Sequence, residues 1–437
     1  MKKVAFYTLG CKVNRYDTES MMKIFEDNGY QIVDFREIAD VYVINTCTVT
    51  HQGARKSRKL ARRAKRRNQD SVVAVVGCYP QVSPGEVMEI EGVDLIVGTK
   101  SREELVQMVK EASRSNDTLN RVGQMDEGEV FEELPVDEFK GRTRGVIKVE
   151  EGCDQYCSYC IIPYARGPVR SRRPGKAVNE IKKLVNAGVK EIVLTGIHLG
   201  AYGEDLGQEM NLVELIKMLI PIDGLERIRL SSIEATEVDQ EMIQLLADEP
   251  KVCPHLHLPL QSGSDSVLKS MNRPYNTKGY QKKIEEIRDK VPGIAITTDV
   301  MVGFPGETEE HFEETYNFIK DIEFSQLHVF KYSKRTGTPA AEMDEQVSPQ
   351  TKNSRSEKLR ELGGRLTKEY YQSFVGQTLE VLFEEEEDQS TGMLTGVTPN
   401  YIRVYLDSND QELKGQTVHV KMVELYQNDG VIGQLVK

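Results

Sequence analysis

Three closely spaced cysteines in the stretch EGCDQYCSYC are the residues best suited to chemistry. Cys153, Cys157 and Cys160, the barrel triad, form a CxxxCxxC pattern. One loop of this length can wrap a compact metal site, but a tetrahedral site usually needs four ligands. A zinc ion with a distant fourth ligand is one interpretation. A 4Fe-4S cluster explains the missing ligand better, because three thiolates hold it and its fourth iron stays open for a small molecule.

Three further cysteines are scattered in the N-terminal part of the chain. Cys11 in LGCKVN, Cys47 in NTCTVT and Cys78 in VGCYP, the N-terminal triad, each directly follow a predicted strand. Open α/β sheets bind ligands at the carboxyl ends of their strands, so we expect this triad to converge on a second cluster. Free cysteines also pack as small hydrophobes, but three at equivalent loop positions favour a cluster. Cys253 has no such partner and is interpreted as a core residue.

The N-terminal triad requires a parallel sheet, and the hydrophobic pattern predicts one. Short β-branched and aromatic runs alternate with helical stretches, which is typical of a doubly wound α/β fold. The predicted strands cover residues 4–9, 41–45, 72–76 and 93–97. We therefore expect an α/β domain over residues 1–105, followed by a helix and a polar linker over residues 106–140.

A second alternation of strands and helices positions the barrel triad. It has six candidate strands, fewer than the eight of a complete TIM barrel, which predicts a partial (β/α)6 barrel over residues 141–372. These strands cover residues 145–152, 190–197, 227–234, 255–261, 294–302 and 326–333. Over residues 373–437 apolar and polar residues alternate in short segments, which predicts a small antiparallel β-barrel.

Composition restricts the class of protein further. The 437 residues carry 57 Lys and Arg against 69 Asp and Glu, a net charge of −12, which argues against a generic nucleic-acid binder. The first apolar run is too short for a signal peptide, and no stretch approaches the ~18 apolar residues of a membrane span. We therefore expect a cytoplasmic protein without membrane contact, in which the seven cysteines form no disulfide framework. Nothing in the sequence requires more than a monomer.

Two basic segments depart from the acidic average. Residues 55–67 contain nine basic and no acidic residues, and Ala54, Leu60, Ala61 and Ala64 share one helical face that can pack on the sheet. This helix starts shortly after the second cysteine of the N-terminal triad, which favours phosphate binding over a merely solvated face. A second basic stretch follows the barrel triad. The predicted nucleic-acid-binding residues are Arg55, Arg58, Arg62, Arg63, Arg66, Arg166, Arg170, Arg172 and Arg173.

Together these motifs resemble the radical S-adenosylmethionine (SAM) methylthiotransferases over essentially the whole chain. A CxxxCxxC loop after the first strand of a partial barrel is similar to the radical SAM superfamily, and Tyr159 fits the aromatic residue usual before its last cysteine. The N-terminal triad and the C-terminal barrel resemble the methylthiotransferase and TRAM domains of that family. The resemblance to TRAM implies RNA binding.

The resemblance implies two 4Fe-4S clusters, one at each triad. In the superfamily, the barrel-triad cluster passes an electron into SAM, which gives methionine and a 5′-deoxyadenosyl radical. Such a radical can remove hydrogen from an aromatic C–H bond, for which acid–base chemistry has no route of reasonable barrier. The family further implies that the N-terminal cluster carries an extra sulfur, that one SAM methylates this sulfur, and that a second SAM supplies the radical.

Segments after successive barrel strands resemble the SAM-binding parts of the superfamily. A single Gly or Ser after a strand is more often only a turn, so each segment alone is a weak signal. The residues that the resemblance implies for SAM binding are Tyr159, Thr195, Gly196, Ser232, Glu234, Gln261, Ser262 and Gly303. His198, His255 and His257 lie near the predicted barrel mouth and are not assigned a catalytic role.

The residues after Cys11 indicate a substrate. Lys12, Val13 and Asn14 resemble the family branch that modifies N6-threonylcarbamoyladenosine at tRNA position 37. The isopentenyladenosine branch usually has QMN there, and the branch that modifies a ribosomal-protein aspartate usually has PKN. Expected partners are the tRNA anticodon loop, an electron donor and a sulfur source, the last two unidentified. A non-enzymatic RNA-binding protein with structural metal sites is the remaining alternative.

Overall fold

The structure is a computed structural model of the chain. It describes residues 1–48, 51–125, 128, 130–135, 143–207, 210–408, 410–427 and 430–436, with only the backbone of residues 51, 52 and 54. Within these ranges, every helix is too short or too polar to span a membrane.

The N-terminal part folds around a parallel sheet. Its described strands are β1 (Lys3–Thr8), β2 (Gln31–Val33), β3 (Val41–Thr46), β4 (Val72–Gly77), β5 (Leu95–Val97) and β6 (Leu119–Arg121). Their order across the sheet is β2-β1-β3-β4-β5-β6, and every neighbouring pair is parallel. The order reverses between β1 and β3, which is the position where sheets of this kind bind ligands.

Helices cover both faces of this sheet, as the doubly wound prediction requires. They are α1 (Lys12–Asp27), α2 (His51–Arg67), α3 (Cys78–Val82), α4 (Pro84–Met88) and α5 (Leu105–Ala112). Met21 and Phe25 of α1 pack with α5 on one face, while Leu60, Ala61 and Ala64 of α2 are buried on the other. The predicted apolar stripe of α2 is confirmed for these three residues, whereas the side chain of Ala54 lies outside the described residues.

The interval 106–140 is not simply a helix and a linker. Residues 119–121 form β6 and extend the sheet, and Leu134 is buried against the same core. The strand escaped prediction because its sequence, LNR, is polar and short. Residues 136–142 lie outside the described part of the chain.

The central part forms the partial barrel. Its strands are β7 (Arg144–Lys148), β8 (Glu150–Glu151), β9 (Arg170–Ser171), β10 (Glu191–Thr195), β11 (Arg227–Leu230), β12 (His255–His257), β13 (Ala295–Val302) and β14 (Gln326–Lys331). Strands β7, β10 and β11 form one parallel sheet and β12, β13 and β14 another, joined by parallel bridges such as Ile228 to Val252. The six predicted barrel strands are thus confirmed, and β8 and β9 add a short antiparallel pair beside the barrel triad.

Helices surround this barrel and bury its outer surface. They are α6 (Ile162–Arg166), α7 (Pro174–Asn186), α8 (Leu212–Leu219), α9 (Gln240–Asp248), α10 (Asp265–Ser270), α11 (Thr277–Lys290), α12 (Glu309–Ile322) and α13 (Pro349–Gln372). Short 3-10 turns cover Arg102–Glu104, Leu199–Ala201, Ala235–Glu237, Pro339–Ala341 and Gln411–Leu413. The largest apolar core lies between these helices and the barrel strands.

A closed β-barrel ends the chain and packs under the partial barrel. Its strands are β15 (Thr378–Glu387), β16 (Leu394–Val397), β17 (Arg403–Leu406), β18 (Thr417–Tyr426) and β19 (Gly430–Leu435). The pair β17 and β19 is parallel and the other pairs are antiparallel. Arg229 of β11 donates to the carbonyls of Thr398 and Pro399 and lies over the ring of Tyr401, which fixes the small barrel against the lower end of the large one.

Candidate functional site

The N-terminal triad lies at the carboxyl ends of three adjacent strands. Cys11 follows β1 and precedes α1, Cys47 follows β3, and Cys78 follows β4 as the first residue of α3. The thiol of Cys78 is close enough to Cys47 and Cys11 for their charges to interact. Cys11 is exposed, Cys47 is half-buried and Cys78 is buried. The predicted convergence of these three cysteines is therefore present in the tertiary structure.

Two glycines permit this approach of the loops. Gly10 has a φ of +114°, and a Cβ there would lie 2.9 Å from the Cβ of Cys47. Gly77 has a φ of +98°, and a Cβ there would lie 2.5 Å from the side-chain oxygen of Asn45. Glycine adopts positive φ without the steric cost that other residues incur, so each position suits glycine alone. Asn14 ties the first two loops together by donating to the carbonyls of Leu9 and Thr46.

The buried Arg166 links this triad to the partial barrel. Its Nε donates to the Sγ of Cys78 at 3.2 Å, and its terminal nitrogen donates to the Oδ1 of Asn14 at 2.5 Å. Burial raises the pKa of Cys78 to about 11, and the charge of Arg166 acts against this rise. Arg166 is thus the cationic neighbour of the least accessible thiol in the triad.

Arg166 also belongs to a buried network of charges between the two domains. Asp17 of α1 and Glu151 of β8 share the cations Arg102, Lys148 and Arg166. The Nζ of Lys148 lies 2.7 Å from an oxygen of each carboxylate. Burial alone would raise the pKa of both carboxyls, but the three cations hold these pKa values below the ordinary range. The network therefore stays ionised and fixes α1 against the strands that carry the barrel triad.

The barrel triad occupies a loop held at both ends. The backbone N–H of Cys153 donates to the carbonyl of Gly167, and the N–H of Ser158 donates to the carbonyl of Met271. Gly152 has a φ of +97°, and a Cβ there would overlap the carbonyl of Pro168. Charges of Cys153 and Cys157 both act on Cys160, so the three thiols lie near one another. Burial raises the pKa of Cys160 to about 12.

Polar groups from the ends of two barrel strands lie beside this loop. Arg273 donates to the Sγ of Cys157 at 3.2 Å and forms an ion pair with Glu234. His198 is close to Cys153 and to Glu237, which together raise the pKa of this histidine to about 11 despite its burial. A basic group therefore lies beside each of these two cysteines, a guanidinium at the second cysteine of the triad and an imidazole at the first.

Glu150 is an unusual buried carboxyl beside the end of the second barrel strand. Its Oε2 accepts the backbone N–H of His198 at 2.6 Å, and a Cβ on Gly196 would overlap the same oxygen. Its Oε1 has no hydrogen-bond partner among the described residues. Burial raises the pKa of Glu150 to about 8. A buried acceptor without a partner next to a glycine marks a place where a polar ligand group can bind.

A cavity of about 190 Å³ borders the third side of the loop. Tyr159, Cys160, Gln261 and Asp299 line it, together with Arg335. Arg335 is also close enough to Cys47 for their charges to interact. Arg335 therefore lines the cavity beside the barrel triad and also lies near the N-terminal triad.

Lys12, next to Cys11, lies near charged residues around the lumen of the partial barrel. The side chain of Lys12 is accessible to solvent, yet it is surrounded by protein charges. Burial, followed by the charges of Arg229 and Arg144, lowers the pKa of Lys12, whereas Glu191 acts in the opposite direction. The charge of Lys12 also acts on His328 of β14. These partners belong to β7, β10, β11 and β14 of the partial barrel.

Polar side chains on β12, β13 and β14 lie close to one another. The Nε2 of His257 lies 3.3 Å from Asp299, and its Nδ1 lies 2.8 Å from the Oγ1 of Thr297. The rings of His257 and His328 are 5.6 Å apart. His255 packs against Tyr401 below, and burial lowers its pKa well below the ordinary value. His255 is therefore a neutral residue that supports the floor of the lumen.

No group of three or more His, Cys, Asp or Glu side chains in the described part of the chain is spaced to hold a single metal ion. The irons of a 4Fe-4S cluster occupy separate corners, so its thiolates lie farther apart than the ligands of one ion. Neither triad in the described part of the chain is therefore spaced as the ligands of a single metal ion.

Comparison with known proteins identifies the family. The radical SAM superfamily model matches residues 147–319, and the model described as uncharacterized protein family UPF0004 matches residues 3–98. The threonylcarbamoyladenosine tRNA methylthiotransferase MtaB of Bacillus subtilis (strain 168) is 47% identical over 427 residues, covering 97% of this chain and 94% of the relative. The chain belongs to the radical SAM methylthiotransferase family.

Other members and solved structures agree with this assignment. The enzyme of the same name from Aquifex aeolicus (strain VF5) is 42% identical to this methylthiotransferase over 407 residues. The aligned part covers 92% of this chain and 96% of the relative. A tRNA-2-methylthio-N(6)-dimethylallyladenosine synthase of Pelotomaculum thermopropionicum is 36% identical over 96% of this chain and 95% of the relative. The radical SAM methyltransferase TsrM of Kitasatospora setae shares the fold, with a TM-score of 0.57 at 16% identity over 78% of this chain and 74% of TsrM.

As a radical SAM protein, this methylthiotransferase uses SAM and a 4Fe-4S cluster. The side chains around the barrel triad fit these groups. Three thiols supply soft ligands, and Arg273 offers a hydrogen bond to one of them. The free oxygen of Glu150 and the cavity beside Cys160 offer polar contacts and space for a small molecule.

The structure brings most of the predicted SAM-site residues to the barrel triad, but not all. Thr195 and Gly196 end β10 beside Glu150, Glu234 pairs with Arg273, and Tyr159 and Gln261 line the cavity. None of these contacts involves SAM, so the role of these residues in SAM binding stays a prediction.

Three of the predicted SAM-site residues have other neighbours. Ser232 pairs with His257 in a backbone bridge. The hydroxyl of Ser262 bonds Thr315, and a Cβ on Gly303 would overlap the side chain of Lys352. Gly303 packs so closely against α13 that this position has no room for a side chain.

The sequence predicts that four arginines after the barrel triad, Arg166, Arg170, Arg172 and Arg173, contact nucleic acid. The structure corrects this prediction for the first three. Arg166, Arg170 and Arg172 are buried and cannot reach a phosphate. Arg172 pairs with the buried Glu180 and the exposed Glu133, and Arg166 pairs with the buried Asp17 and Glu151. Arg173 is exposed.

The predicted arginines of α2 differ from that buried set. Arg55, Arg62, Arg63 and Arg66 are exposed, and Arg58 is half-buried with a hydrogen bond to Tyr79. Their contact with nucleic acid remains a prediction.

Sequence reasoning missed four residues of the site: Glu150, His198 as a neighbour of Cys153, Arg273 and Arg335. Arg273 and Arg335 lie in stretches without a motif, whereas Glu150 and His198 lie beside motifs that do not include them. Each acts through contacts between distant segments. Arg166 was predicted as a site residue, but for the wrong role, because charge in a sequence does not distinguish a solvent-exposed arginine from one buried in an ion-pair network.

The charge network gives a prediction on stability. Asp17→Asn removes one of the carboxylates that, together with Glu151 and Glu132, neutralise three buried cations. We therefore expect a loss in the free energy of unfolding of about 3–5 kcal/mol, measured as a lower midpoint in chemical denaturation. The matched control is Asp27→Asn on the same helix, which breaks an exposed pair with Lys23 and should cost less than about 1 kcal/mol. Equal effects of the two substitutions would contradict the role of the network.

Glu150 gives a prediction on pH dependence. Burial raises its folded pKa to about 8 from the ordinary 4.5, so the folded protein binds this proton more tightly than the unfolded chain does. The stability from this group is present below pH 4.5 and is lost as pH rises through 8. In Glu150→Gln, which cannot ionise, thermal denaturation should show a smaller fall in midpoint between about pH 5 and about pH 8.5 than in the wild type. Identical falls would show that Glu150 titrates at its ordinary pKa.

Proposed function

We propose that this protein places a methylthio group on carbon 2 of N6-threonylcarbamoyladenosine at position 37 of tRNA. The observation that carries the proposal is that the two cysteine triads adjoin one boundary between the domains. Arg166, on the helix after Cys160, donates to the Sγ of Cys78, and Arg335 lines the cavity beside Cys160 and lies near Cys47. Sulfur insertion by radical chemistry needs a site that generates the radical next to a site that supplies the sulfur. The relatives of 47% and 42% identity, both named for threonylcarbamoyladenosine, support the choice of nucleoside.

We infer that the barrel triad holds the cluster that cleaves SAM and that the N-terminal triad holds an auxiliary 4Fe-4S cluster. When bound, these groups supply an electron for SAM cleavage and a sulfur that a first SAM methylates. The chain's own contribution is to hold the thiolates and their charges. Arg166 and Arg273 each donate to a cysteine sulfur, and hydrogen bonds of this kind stabilise the thiolate and tune the reduction potential of a cluster.

We further infer that the polar groups around the barrel triad position SAM. The buried Oε1 of Glu150 is an acceptor that suits the ammonium group of an amino acid, and a cation there would favour the ionised form of Glu150. Gln261 and Tyr159 line the adjacent cavity. Since the same cavity contacts Arg335, a molecule held there lies between the triads.

The exposed arginines of α2 and Arg173 are proposed to bind the tRNA backbone. Helix α2 starts after the loop of Cys47, so its basic surface adjoins the N-terminal triad. An anticodon-loop nucleotide can leave its stack without opening a duplex, which allows the target base to enter the space between the triads. The C-terminal barrel is a second candidate surface for the RNA, by its resemblance to TRAM.

Nucleoside mass spectrometry of bulk tRNA tests the reaction and its substrate. Cells that lack the gene should lose the methylthiolated threonylcarbamoyladenosine and accumulate its unthiolated precursor. The wild-type gene and Cys253→Ala should restore the product, whereas Cys47→Ala and Cys157→Ala should not. Cys253 is the matched control because it is buried outside both triads.

The other outcomes of this experiment discriminate the alternatives. Loss of only the methylthiolated dimethylallyl nucleoside would reassign the protein to the substrate of its 36% identical relatives. An unchanged nucleoside profile would exclude tRNA as the substrate and leave a ribosomal protein or a non-enzymatic role.

The basic helix gives a separate prediction on RNA affinity. Replacing Arg62, Arg63 and Arg66 by Gln removes three exposed charges, so the affinity for tRNA should fall. The slope of log affinity against log salt should decrease by about 1 for each phosphate that is no longer neutralised. Filter binding at several salt concentrations measures both quantities. Replacing the exposed Lys278, Lys282 and Lys290 of α11 by Gln provides a control of equal charge change. If that control weakens binding equally, the effect is one of general charge and not of a defined RNA surface.

A further inference from the structure

We propose that a groove at the edge of the N-terminal sheet, the edge groove, binds a second nucleotide of the substrate tRNA in addition to the target base. The edge groove lies between the end of β1, the loop after β2 and one face of α2. Its aromatic wall stacks on a base, and its basic wall binds the adjoining phosphates. This inference rests on the proposed function and deepens it, because it assigns a defined nucleotide site on the N-terminal domain.

The edge groove exists because β2 is shorter than β1. Strand β2 pairs with residues 3–5 of β1, and the chain then turns at residues 34–37. Among the described strands, residues 6–8 of β1 therefore have a partner only in β3. The cavity along this open edge has a volume of about 780 Å³. That volume is sufficient for a nucleotide, since small-molecule sites measure about 300–1,000 Å³.

Two aromatic rings form one wall of the edge groove. The rings of Tyr7 and Phe35 meet edge to face, with their centres 5.2 Å apart. Phe35 is buried, whereas Tyr7 is half-buried and keeps part of its surface open to the groove. The Nζ of the exposed Lys56 lies over the Tyr7 ring, 5.4 Å from its centre. A long, flexible lysine side chain can move from this place to a phosphate when a base stacks on the ring.

The opposite wall of the edge groove is a basic stripe on α2. Lys56, Lys59, Arg63 and Arg67 follow one another at intervals of three or four residues, so they share one face of the helix. The first three are exposed to solvent. Arg36, also exposed, adds a cation from the loop on the other side. Phosphates that enter the groove therefore meet positive charge from two sides.

The charge of the edge groove favours a polyanion. Of the described residues that line it, five are basic and one is acidic. The acidic residue, Asp34, uses its carboxylate within its own turn, where it accepts the backbone N–H of Arg36 at 2.7 Å. Because the whole chain has a net charge of −12, this local excess of positive charge attracts phosphate against the average of the protein.

The combination of rings and cations favours single-stranded RNA over an acidic protein as the occupant. A basic groove with an aromatic ring at its wall is typical of sites that track a nucleic-acid backbone and stack on its bases. Arg67 holds this geometry, since it donates to the carbonyl of Phe35 at 2.8 Å and joins the loop to the helix. An acidic protein surface needs the cations but has no use for an open aromatic face.

The edge groove begins close to the N-terminal triad. Thr8 lines the groove and is three residues before Cys11, and α2 starts after the loop of Cys47. The groove then follows α2 from Lys56 towards Arg67 at the far end of the helix. Bases of a single-stranded loop can be unstacked individually. A loop nucleotide near the target base can therefore enter the groove while the target base lies at the triad.

Binding of an anticodon stem-loop RNA to the anaerobically prepared holoenzyme tests the proposal. The RNA carries threonylcarbamoyladenosine at the target position, and fluorescence anisotropy gives its affinity. Tyr7→Leu keeps an apolar side chain but removes the aromatic face, so affinity should fall by about five- to a hundredfold, as for the loss of one stacked base. Tyr7→Phe keeps the ring and should bind within about twofold of the wild type.

A double variant tests the basic wall without touching the core. Replacing the exposed Lys56 and Lys59 by Gln should weaken binding and lower the slope of log affinity against log salt by about 1 to 2. The matched control replaces the exposed Lys278 and Lys290 of α11 by Gln and should leave the slope unchanged. Tyr316→Leu on α12, a half-buried tyrosine outside the groove, is the control for Tyr7→Leu.

Stem-loop RNAs that each lack one loop base identify the stacked nucleotide. At one position other than the target, removal of the base should weaken binding to the wild type but not to Tyr7→Leu, which has already lost the stacking contact. If Tyr7→Leu has the same effect on every abasic RNA, Tyr7 stacks on no particular base and the proposal is overturned. If the coupled position is the target itself, the groove holds the target base and the proposal is likewise overturned.

The outcomes also separate this inference from the proposed function. If the wild type binds and methylthiolates the stem-loop while the variants of Tyr7, Lys56 and Lys59 bind it with unchanged affinity and salt slope, only this inference fails. The edge groove would then serve another partner, such as an acidic protein. If the wild type neither binds nor modifies the RNA, the proposed function fails and this inference fails with it. Equal iron content and equal thermal midpoints among the variants show that the comparison concerns the groove and not the clusters or the fold.

Discussion

The buried charge network between α1 and the first strands of the partial barrel is the interaction on which the arrangement of the site depends. Asp17 and Glu151 lie among Arg102, Lys148 and Arg166, and all five groups are nearly inaccessible to water. Burying charges is costly unless each is paired, so the network tolerates few alternative arrangements of the two domains. It thereby sets the position of the N-terminal triad relative to the barrel triad.

Arg166 shows how one side chain combines structure and chemistry. It pairs with Asp17 and Glu151, donates to Asn14, and donates to the sulfur of Cys78. The ion pairs hold its guanidinium in place, and the hydrogen bond to sulfur then has a fixed geometry. A cationic donor at this position stabilises negative charge on a buried thiolate. The same logic applies to Arg273, which contacts Glu234 and Cys157.

The C-terminal barrel also supports the partial barrel. Charged residues around the lumen are paired with one another or with the C-terminal barrel. Arg229, for example, pairs with Glu191 and donates hydrogen bonds to the carbonyls of Thr398 and Pro399. The floor of the lumen therefore depends on the small barrel, which gives that domain a structural role in addition to any contact with RNA.

Sequence alone determined the periodic and local features of this protein. Runs of β-branched residues predicted the parallel sheet and the six barrel strands, because buried parallel strands need apolar side chains on both faces. The spacing of Cys153, Cys157 and Cys160 marked a metal loop, and the positions of Cys11, Cys47 and Cys78 after strands predicted their convergence. The polar strand β6 was missed, since short edge strands can lack this apolar signal.

Only the tertiary structure decided which charges are buried and which groups meet across the domains. Arg166, Arg170 and Arg172 have the same sequence character as exposed basic residues, yet burial and their acidic neighbours give them a different role. Glu150, Arg273 and Arg335 became part of the site through contacts between segments far apart in the chain. The physical reason is that a sequence fixes the charge of a residue, whereas its solvation and its partners depend on how distant elements pack.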